Sequence, residues 1–398
     1  MPTGPMQSNS QTQAKNCNRP LNGITVVSCE QAVAAPFASR QLADLGARVI
    51  KIERPGEGDF ARGYDDTVRG MSSHFVWLNR GKESLSADLK DSSDIHLVKR
   101  IIEQADVFIQ NLAPGAIERL GLDMREMRAK NSKLITVSIS GYGSEGPYRN
   151  AKAYDALIQA ETGLMSVTGT EDHPSKTGIS TADISAGMYA YTGVLSALYN
   201  RTKTGEGEHI EVSLFDSLIE WMGYPLYFSR YSEARPARAG ASHAAIAPYG
   251  LFATGDETEF MLAIQNDREW HSFASHVLEM PDLATDPRYA KAKDRFKNRR
   301  ALEETILKAF RPLKGVVVEK RLQQARIAHS QQRDMTDVWN HPQLVERDRW
   351  QTIQTPAGPI EAVVPPVIFD SFAYPMGPIP SAGEHTDQIR AEFGEQSS

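Results

Sequence analysis

Apolar and β-branched residues fall in short runs along the first half of the chain, separated by stretches of helical spacing. Gly23–Ser28 (GITVVS) reads as a strand. Ala35–Leu45 (APFASRQLADL) has helical periodicity and stops at Gly46, a C-cap signal. Ala47–Glu53 (ARVIKIE) is the next strand, ended by Pro55-Gly56. Strand, helix and strand at this spacing predict a βαβ unit, hence a parallel sheet covered by helices. Leu97–Gln104 continues as a helix, Asp106–Gln110 and Leu134–Ser140 as strands, Ser185–Tyr199 as a helix of small residues, and His209–Leu214 as a strand.

From about Tyr224 the pattern changes. Aromatics, arginine-rich loops and a Gly/Ala/Ser segment (Ala237–Gly250) lead into two strands over Leu251–Ile264 and then helices through Gln324. The expected organisation is a disordered tail (1–20), the N-terminal part of an open Rossmann-like large domain (21–223), and a small α+β domain (224–330). Residues 331–398 return to the large domain, so that it is built from both chain ends.

Composition narrows the class. With 398 residues, 40% hydrophobic and 24% charged, the chain matches an ordinary soluble globular protein. A net charge of −6 supplies no global basic field, so no nucleic-acid partner is expected. The longest apolar stretch, Gly187–Tyr199, falls short of the roughly 18 residues a membrane helix needs, and no membrane partner is expected. Cys17 and Cys29 are too few for a disulfide framework and point to a reducing, cytoplasmic compartment. The first 20 residues lack the apolar core of a secretory signal.

The candidate chemistry lies at strand ends. The first βα turn, Cys29–Pro36 (CEQAVAAP), contains no glycine, whereas a dinucleotide site places G-x-G-x-x-G there; NAD and FAD are therefore disfavoured. The turn still offers main-chain donors beside a helix N-terminus. Arg54, at the end of the second strand, is either a phosphate ligand or a solvated surface arginine. Leu78-Asn79-Arg80-Gly81-Lys82, Asn111-Leu112-Ala113 and Arg119 add polar and cationic groups. Singly each reads as a turn or a cap. In a doubly wound fold such loops share one crevice, and together they sketch a pocket for an elongated phosphorylated molecule.

Ser140–Pro147 (SGYGSEGP) is glycine-rich but lacks the ending of a phosphate-binding P-loop; Lys152, Ala153, Tyr154 and Asp155 follow it. Asp183 precedes the small-residue helix. It is either an N-cap or a carboxylate nucleophile, ionised at neutral pH and needing no partner base. Ten histidines show no metal-ligand spacing, so no metal is expected. His243, on a glycine-flanked loop, is either a substrate-carboxylate contact or a surface residue.

The ordered combination resembles the class III CoA-transferase (CaiB/BaiF) family. The pieces are AAPFASRQLADLGARVIKIERPGEGDFARG, LNRGKESLSADLK, ADVFIQNLAPGAIERLGL, SGYGSEGPY with YDALIQAETGLMSVTG, TADISAGMYAYTGVLSALYNRTKTGEGEHIEVSLFD and GEHTDQI, over about residues 21–390. The resemblance implies an interlocked homodimer that acts on acyl-CoA and a carboxylic acid. It implies coenzyme A contacts at Val33, Ala34, Arg54, Leu78, Asn79, Arg80, Gly81, Asn111, Leu112, Ala113, Arg119, Lys152, Ala153, Tyr154 and Asp155, and a nucleophile at Asp183. Lys82 is expected to join Arg54, Arg119 and Lys152 in holding phosphate charge. Formyl-CoA transferases carry a glutamine aligned with Val33, and Gln31 is its nearest substitute here.

The Gly240–Gly250 segment resembles the branch that pairs succinyl-CoA with itaconate, mesaconate or citramalate. Itaconate is the acceptor favoured here, with Ser242, His243 and Tyr249 as substrate contacts. A 2-methylacyl-CoA racemase is an alternative, disfavoured because racemases place His-Asp where this chain has Tyr154-Asp155. A non-catalytic CoA-binding protein is a third reading.

Overall fold

A computed structural model describes residues 19–233 and 235–394. Of the expected 1–20 tail, residues 1–18, with Cys17, lie outside these. Arg19 and Pro20 already belong to the fold: the Asn22 N–H donates to Arg19 O at 3.1 Å and the Leu21 N–H to Leu45 O at 3.1 Å.

Strand β1 (Thr25–Cys29), helix α1 (Ala34–Asp44) and strand β2 (Arg48–Glu53) form the first βαβ unit. Helix α2 (Ser73–Asn79) precedes β3 (Lys82–Ser86), and α3 (Ser92–Glu103) precedes β4 (Val107–Gln110) and β5 (Ile135–Ser140). Helices α4 (Asp155–Glu161) and α5 (Thr181–Thr204) lead to β6 (His209–Ser213) and α6 (Leu214–Trp221). The six strands are parallel, in the order β3-β2-β1-β4-β5-β6. Val27 sits opposite Ile50 of β2 and Phe108 of β4. The chain winds outward from β1 to β3, then crosses back to β4. That reversal opens a crevice beyond the carboxyl ends of β1 and β4.

One helix starts earlier than expected and one strand was not expected, each for an identifiable reason. Helix α3 starts five residues before Leu97, because Asp91 caps it by accepting the Ser93 and Asp94 N–H groups; the apolar stripe marks only its later turns. Strand β3 (KESLS) has no apolar alternation because Lys82 and Ser84 are buried polar residues with partners. Its Leu85 joins Val27, Ile50, Phe108, Leu97, Val98 and Ile101 in the core.

The described chain divides into two compact units. One holds the residues up to Thr162, Thr177–Gly223 and those from Val345 onward; the other holds Gly163–Lys176 and Tyr224–Leu344. In the second, strands β7 (Tyr249–Ala253), β8 (Glu259–Ala263) and β9 (Ala328–Gln331) pair antiparallel. Helices α7 (Arg299–Phe310) and α8 (Gly315–Gln324) cover them, burying Phe252, Phe260, Trp270, Phe273 and Phe310. The boundary expected after residue 330 cuts β9, whose Gln331 pairs with Phe260; that strand pairing carries the second unit on to Leu344.

The C-terminal segment adds β10 (Trp350–Ile353), β11 (Ile360–Val363) and α9 (Thr386–Phe393), which sends Ile389 into the large core. In IEAVVPPVIF only the first four residues form a strand, since Pro365 and Pro366 lack ladder donors. No helix among the described residues is long and apolar enough to cross a membrane.

Candidate active site

The first βα turn sits at the crevice and is fixed by side chains rather than by glycines. The Gln31 N–H donates to Asn111 Oδ1 at 2.9 Å, and Asn111 Nδ2 donates back to Gln31 O at 2.8 Å. Ala32 takes a left-handed backbone (φ 60°), uncommon without glycine, and its N–H donates to Asp59 Oδ1 at 3.2 Å. Val33 and Ala34, both buried, then open α1 with no side-chain cap.

A fully buried charge cluster underlies this turn. Lys82 Nζ contacts Glu30 Oε1 at 2.6 Å, and Lys51 Nζ contacts Glu30 at 3.3 Å and Asp59 Oδ2 at 2.7 Å. Ser39 Oγ donates to Glu30 Oε2 at 2.6 Å. Burial alone would raise the Glu30 pKa, but Lys82 and Lys51 hold it down to about 2. Lys82 also donates to Pro36 O and Asn79 Oδ1. The expectation that Lys82 holds a phosphate is therefore corrected: its ammonium faces inward with every proton engaged.

Arg80 is likewise committed, forking onto Asp44 with two 2.8 Å bonds. Leu78 and Asn79 are fully buried, and the Gly81 N–H donates to Pro378 O at 2.8 Å. In this conformation the Leu78–Lys82 turn buttresses the crevice from inside.

Other expected residues line open space. A cavity of about 380 Å³ beyond the ends of β1 to β4 is lined by Gln31, Arg54, Asp59, Lys90 and Leu112, among others. Arg54 Nε donates to Gly58 O at 2.8 Å, and its guanidinium is half exposed. A second cavity, about 660 Å³, includes Leu112, Ala113 and Arg119 and extends over Ser138, Ser140 and His209. Arg119 is exposed. Asp183 lines neither cavity. Lys152 and Tyr154 are exposed on the loop before α4, and Ala153 packs tightly on Gly141.

Asp183 is not an N-cap. It lies in the first turn of α5, where Ser180 occupies the capping position without a side-chain bond. Asp155 caps the helix from α4 instead: its Oδ1 accepts the Ala182 N–H at 2.8 Å and the Asp183 N–H at 3.3 Å. One turn after Asp183, on the same helix face, Gly187 abuts α1; a methyl group there would lie 2.6 Å from Ala34 O. The nucleophile candidate and the β1–α1 turn are thus held on neighbouring elements. Burial, and then the Asp155 carboxylate, push the Asp183 pKa up to about 7. Tyr64 belongs to the same surroundings, its pKa raised by burial and by the charges of Asp59 and Asp183.

In the second unit, Ser242, His243 and Tyr249 cluster. The His243 ring stacks on Tyr249 at 5.1 Å, its Nδ1 accepts the Ala245 N–H at 3.0 Å, and Ser242 packs against Gly250. The described residues contain no group of His, Cys, Asp and Glu arranged to hold a metal ion.

Pattern reading passed over Glu30, Lys51, Asp59 and Tyr64. The available signal was Lys51, a charge inside the otherwise apolar strand ARVIKIE, which requires a buried partner.

Comparison with known proteins shows the family. The model for CoA-transferase family III matches residues 21–386. An acetyl-CoA:oxalate CoA-transferase from Acetobacter aceti is 35% identical over 331 residues, covering 83% of this chain and 85% of that protein. A succinate–glutarate CoA-transferase from Agrobacterium fabrum is 31% identical over 96% of this chain and 98% of its own length. The crystal structure of a CAIB/BAIF family protein from Brucella suis superposes with a TM-score of 0.86 at 33% identity, covering 94% of this chain and 100% of that one. With the match running from the turn before β1 to the start of the last helix, the chain belongs to CoA-transferase family III and is a CoA-transferase.

Proposed function

We propose that this enzyme moves CoA from an acyl-CoA donor, succinyl-CoA, to a small dicarboxylic acid such as itaconate through acylation of Asp183. The observation that carries the reading is the position of Asp183: a partly buried carboxylate in the first turn of α5, on the helix face that meets the start of α1. Relatives named for oxalate and glutarate support a dicarboxylate acceptor.

In the first step an Asp183 carboxylate oxygen attacks the donor carbonyl carbon and the C–S bond breaks. A mixed anhydride and a CoA thiolate result. The thiolate then attacks the aspartyl carbonyl, releasing the donor acid and leaving an aspartyl–CoA thioester. The acceptor carboxylate attacks that thioester, giving a second anhydride and freeing the thiolate, which attacks the acceptor carbonyl. Acceptor-CoA leaves and the Asp183 carboxylate is restored. Each step passes through an oxyanion, for which the main-chain N–H groups of the Gln31–Ala35 turn are the proposed donors.

Arg54 and Arg119, with Lys152, are proposed to hold the CoA phosphates. Ser242, His243 and Tyr249 are proposed to contact the acceptor. Exposed aromatics on the helix Gly223–Tyr231, with Tyr227 71% and Tyr231 81% exposed, support a homodimer as the active form. Racemisation has less support: Asp155 is occupied as a helix cap, and Tyr154 replaces the histidine of a proton-exchanging pair.

The test incubates succinyl-CoA with itaconate, mesaconate, citramalate, glutarate and oxalate, and reads new thioesters by mass. Wild type should give itaconyl-CoA, and His243→Ala should raise the acceptor KM alone. Thioester formation only with oxalate, or with no acid, contradicts the reading.

A further inference from the structure

We propose that Asp155 is the positioning residue of the nucleophile: its carboxylate receives the N–H groups that open α5 and places a second negative group beside Asp183. This inference rests on the acylation role of Asp183 proposed above and goes beyond it. Both oxygens of Asp155 are committed. Oδ1 accepts the Ala182 and Asp183 N–H groups, at 2.8 Å and 3.3 Å. Oδ2 accepts Gln159 Nε2 at 2.7 Å. Gln159, fully buried, returns its own Oε1 to the Thr177 N–H at 2.9 Å, and Thr177 Oγ1 meets Thr181 Oγ1. The segment that enters α5 is thereby tied to α4 through one carboxylate and one amide.

The arrangement has two effects that differ in kind. As an acceptor, Asp155 satisfies N–H groups that otherwise lack a partner at a helix start, and so fixes where Asp183 points. As a charge, it opposes ionisation of Asp183, whose pKa burial and Asp155 raise to about 7. A carboxylate with a pKa near neutrality is a stronger nucleophile than one at 3.8, and about half of it is ionised at pH 7. Another group that feels the Asp183 charge is Tyr64, which also feels Asp59. The elements packed on α5 carry Arg40 and Asp44, paired at 2.9 Å, Asp216, bonded to Ser213 at 2.6 Å, Glu220, and on β6 His209 and Glu211.

The two effects separate with Asp155→Asn and Asp155→Ala. The asparagine keeps an acceptor oxygen for α5 but no charge; the alanine keeps neither. The pH profile of acyl-enzyme formation from succinyl-CoA should have its midpoint near 7 in wild type. In Asp155→Asn it should fall by about one unit or more with the plateau rate within about threefold. Asp155→Ala should lower the rate at every pH by about tenfold or more. An unmoved midpoint in Asp155→Asn, or equal behaviour of the two variants, overturns the proposal. If wild type forms no acyl-enzyme, the reading of Asp183 fails instead. Asp155 is then judged by stability alone: the pH dependence of the Tm difference between Asp183 and Asp183→Asn should shift to lower pH in the Asp155→Asn background, and an unshifted dependence overturns it.

Discussion

Gln31 and Asn111 exchange two hydrogen bonds, main chain to side chain in both directions, at 2.9 Å and 2.8 Å. The pair joins the loops that leave β1 and β4, the two strands between which the sheet reverses direction. A glycine-free turn thus acquires a fixed shape where dinucleotide-binding folds rely on glycine conformational freedom.

Asn111→Ala removes both bonds at once. At about 1 kcal/mol per bond, a stability loss of about 2 kcal/mol is expected in urea unfolding. Acyl-enzyme formation should slow by about tenfold, since the donors of the turn lose their placement. Full destabilisation with an unchanged acylation rate would mean that the pair only supports the fold.

Lys82 and Arg54 separate the two roles that the sequence assigns alike. Lys82→Ala leaves Glu30 buried with a weakened counter-charge, so a loss of about 3–5 kcal/mol is expected. Arg54→Ala, at a half-exposed position on the crevice, should leave the unfolding midpoint in place and raise the KM for acyl-CoA by about tenfold. Urea unfolding and initial rates on both variants check this; a stable Lys82→Ala with weakened CoA binding would reverse the assignment.

That contrast shows what the sequence discloses and what it hides. Period and breakers expose β1, α1, β2, β4 and β5, because their apolar faces are continuous and Gly46 and Pro55 punctuate them. β3 stays hidden because Lys82 and Ser84 are polar inside the core, stabilised by Glu30 of the turn after β1 and Glu53 of β2, both distant in sequence. The same holds at the site. Asp183 is legible by its residue type and the small-residue helix that follows. Its cap is not, because Asp155 lies 28 positions away and belongs to another helix. Residue type marks a cation; only the tertiary structure decides whether it meets a ligand or a buried carboxylate.

Asp183 should also cost stability. Its folded-state pKa of about 7 lies above its ordinary 3.8, so the folded protein holds this proton more tightly than the unfolded chain. The stabilising contribution is complete below about pH 4 and is lost as pH rises through 7. A shift of about three units corresponds to about 4 kcal/mol in full; partial solvation reduces this to the order of 2 kcal/mol. Asp183→Asn, which cannot ionise, should match wild type near pH 3 and exceed it in Tm by several degrees at pH 8.5. A Tm difference that does not change with pH contradicts the assignment.

The central claim is that Asp183 becomes acylated, and peptide mass mapping after a hydroxylamine quench tests it most directly. Wild-type enzyme mixed with succinyl-CoA should carry a hydroxamate on Asp183, and Asp183→Ala should carry none and transfer no CoA. A hydroxamate on another residue, or transfer that persists in Asp183→Ala, would contradict the account.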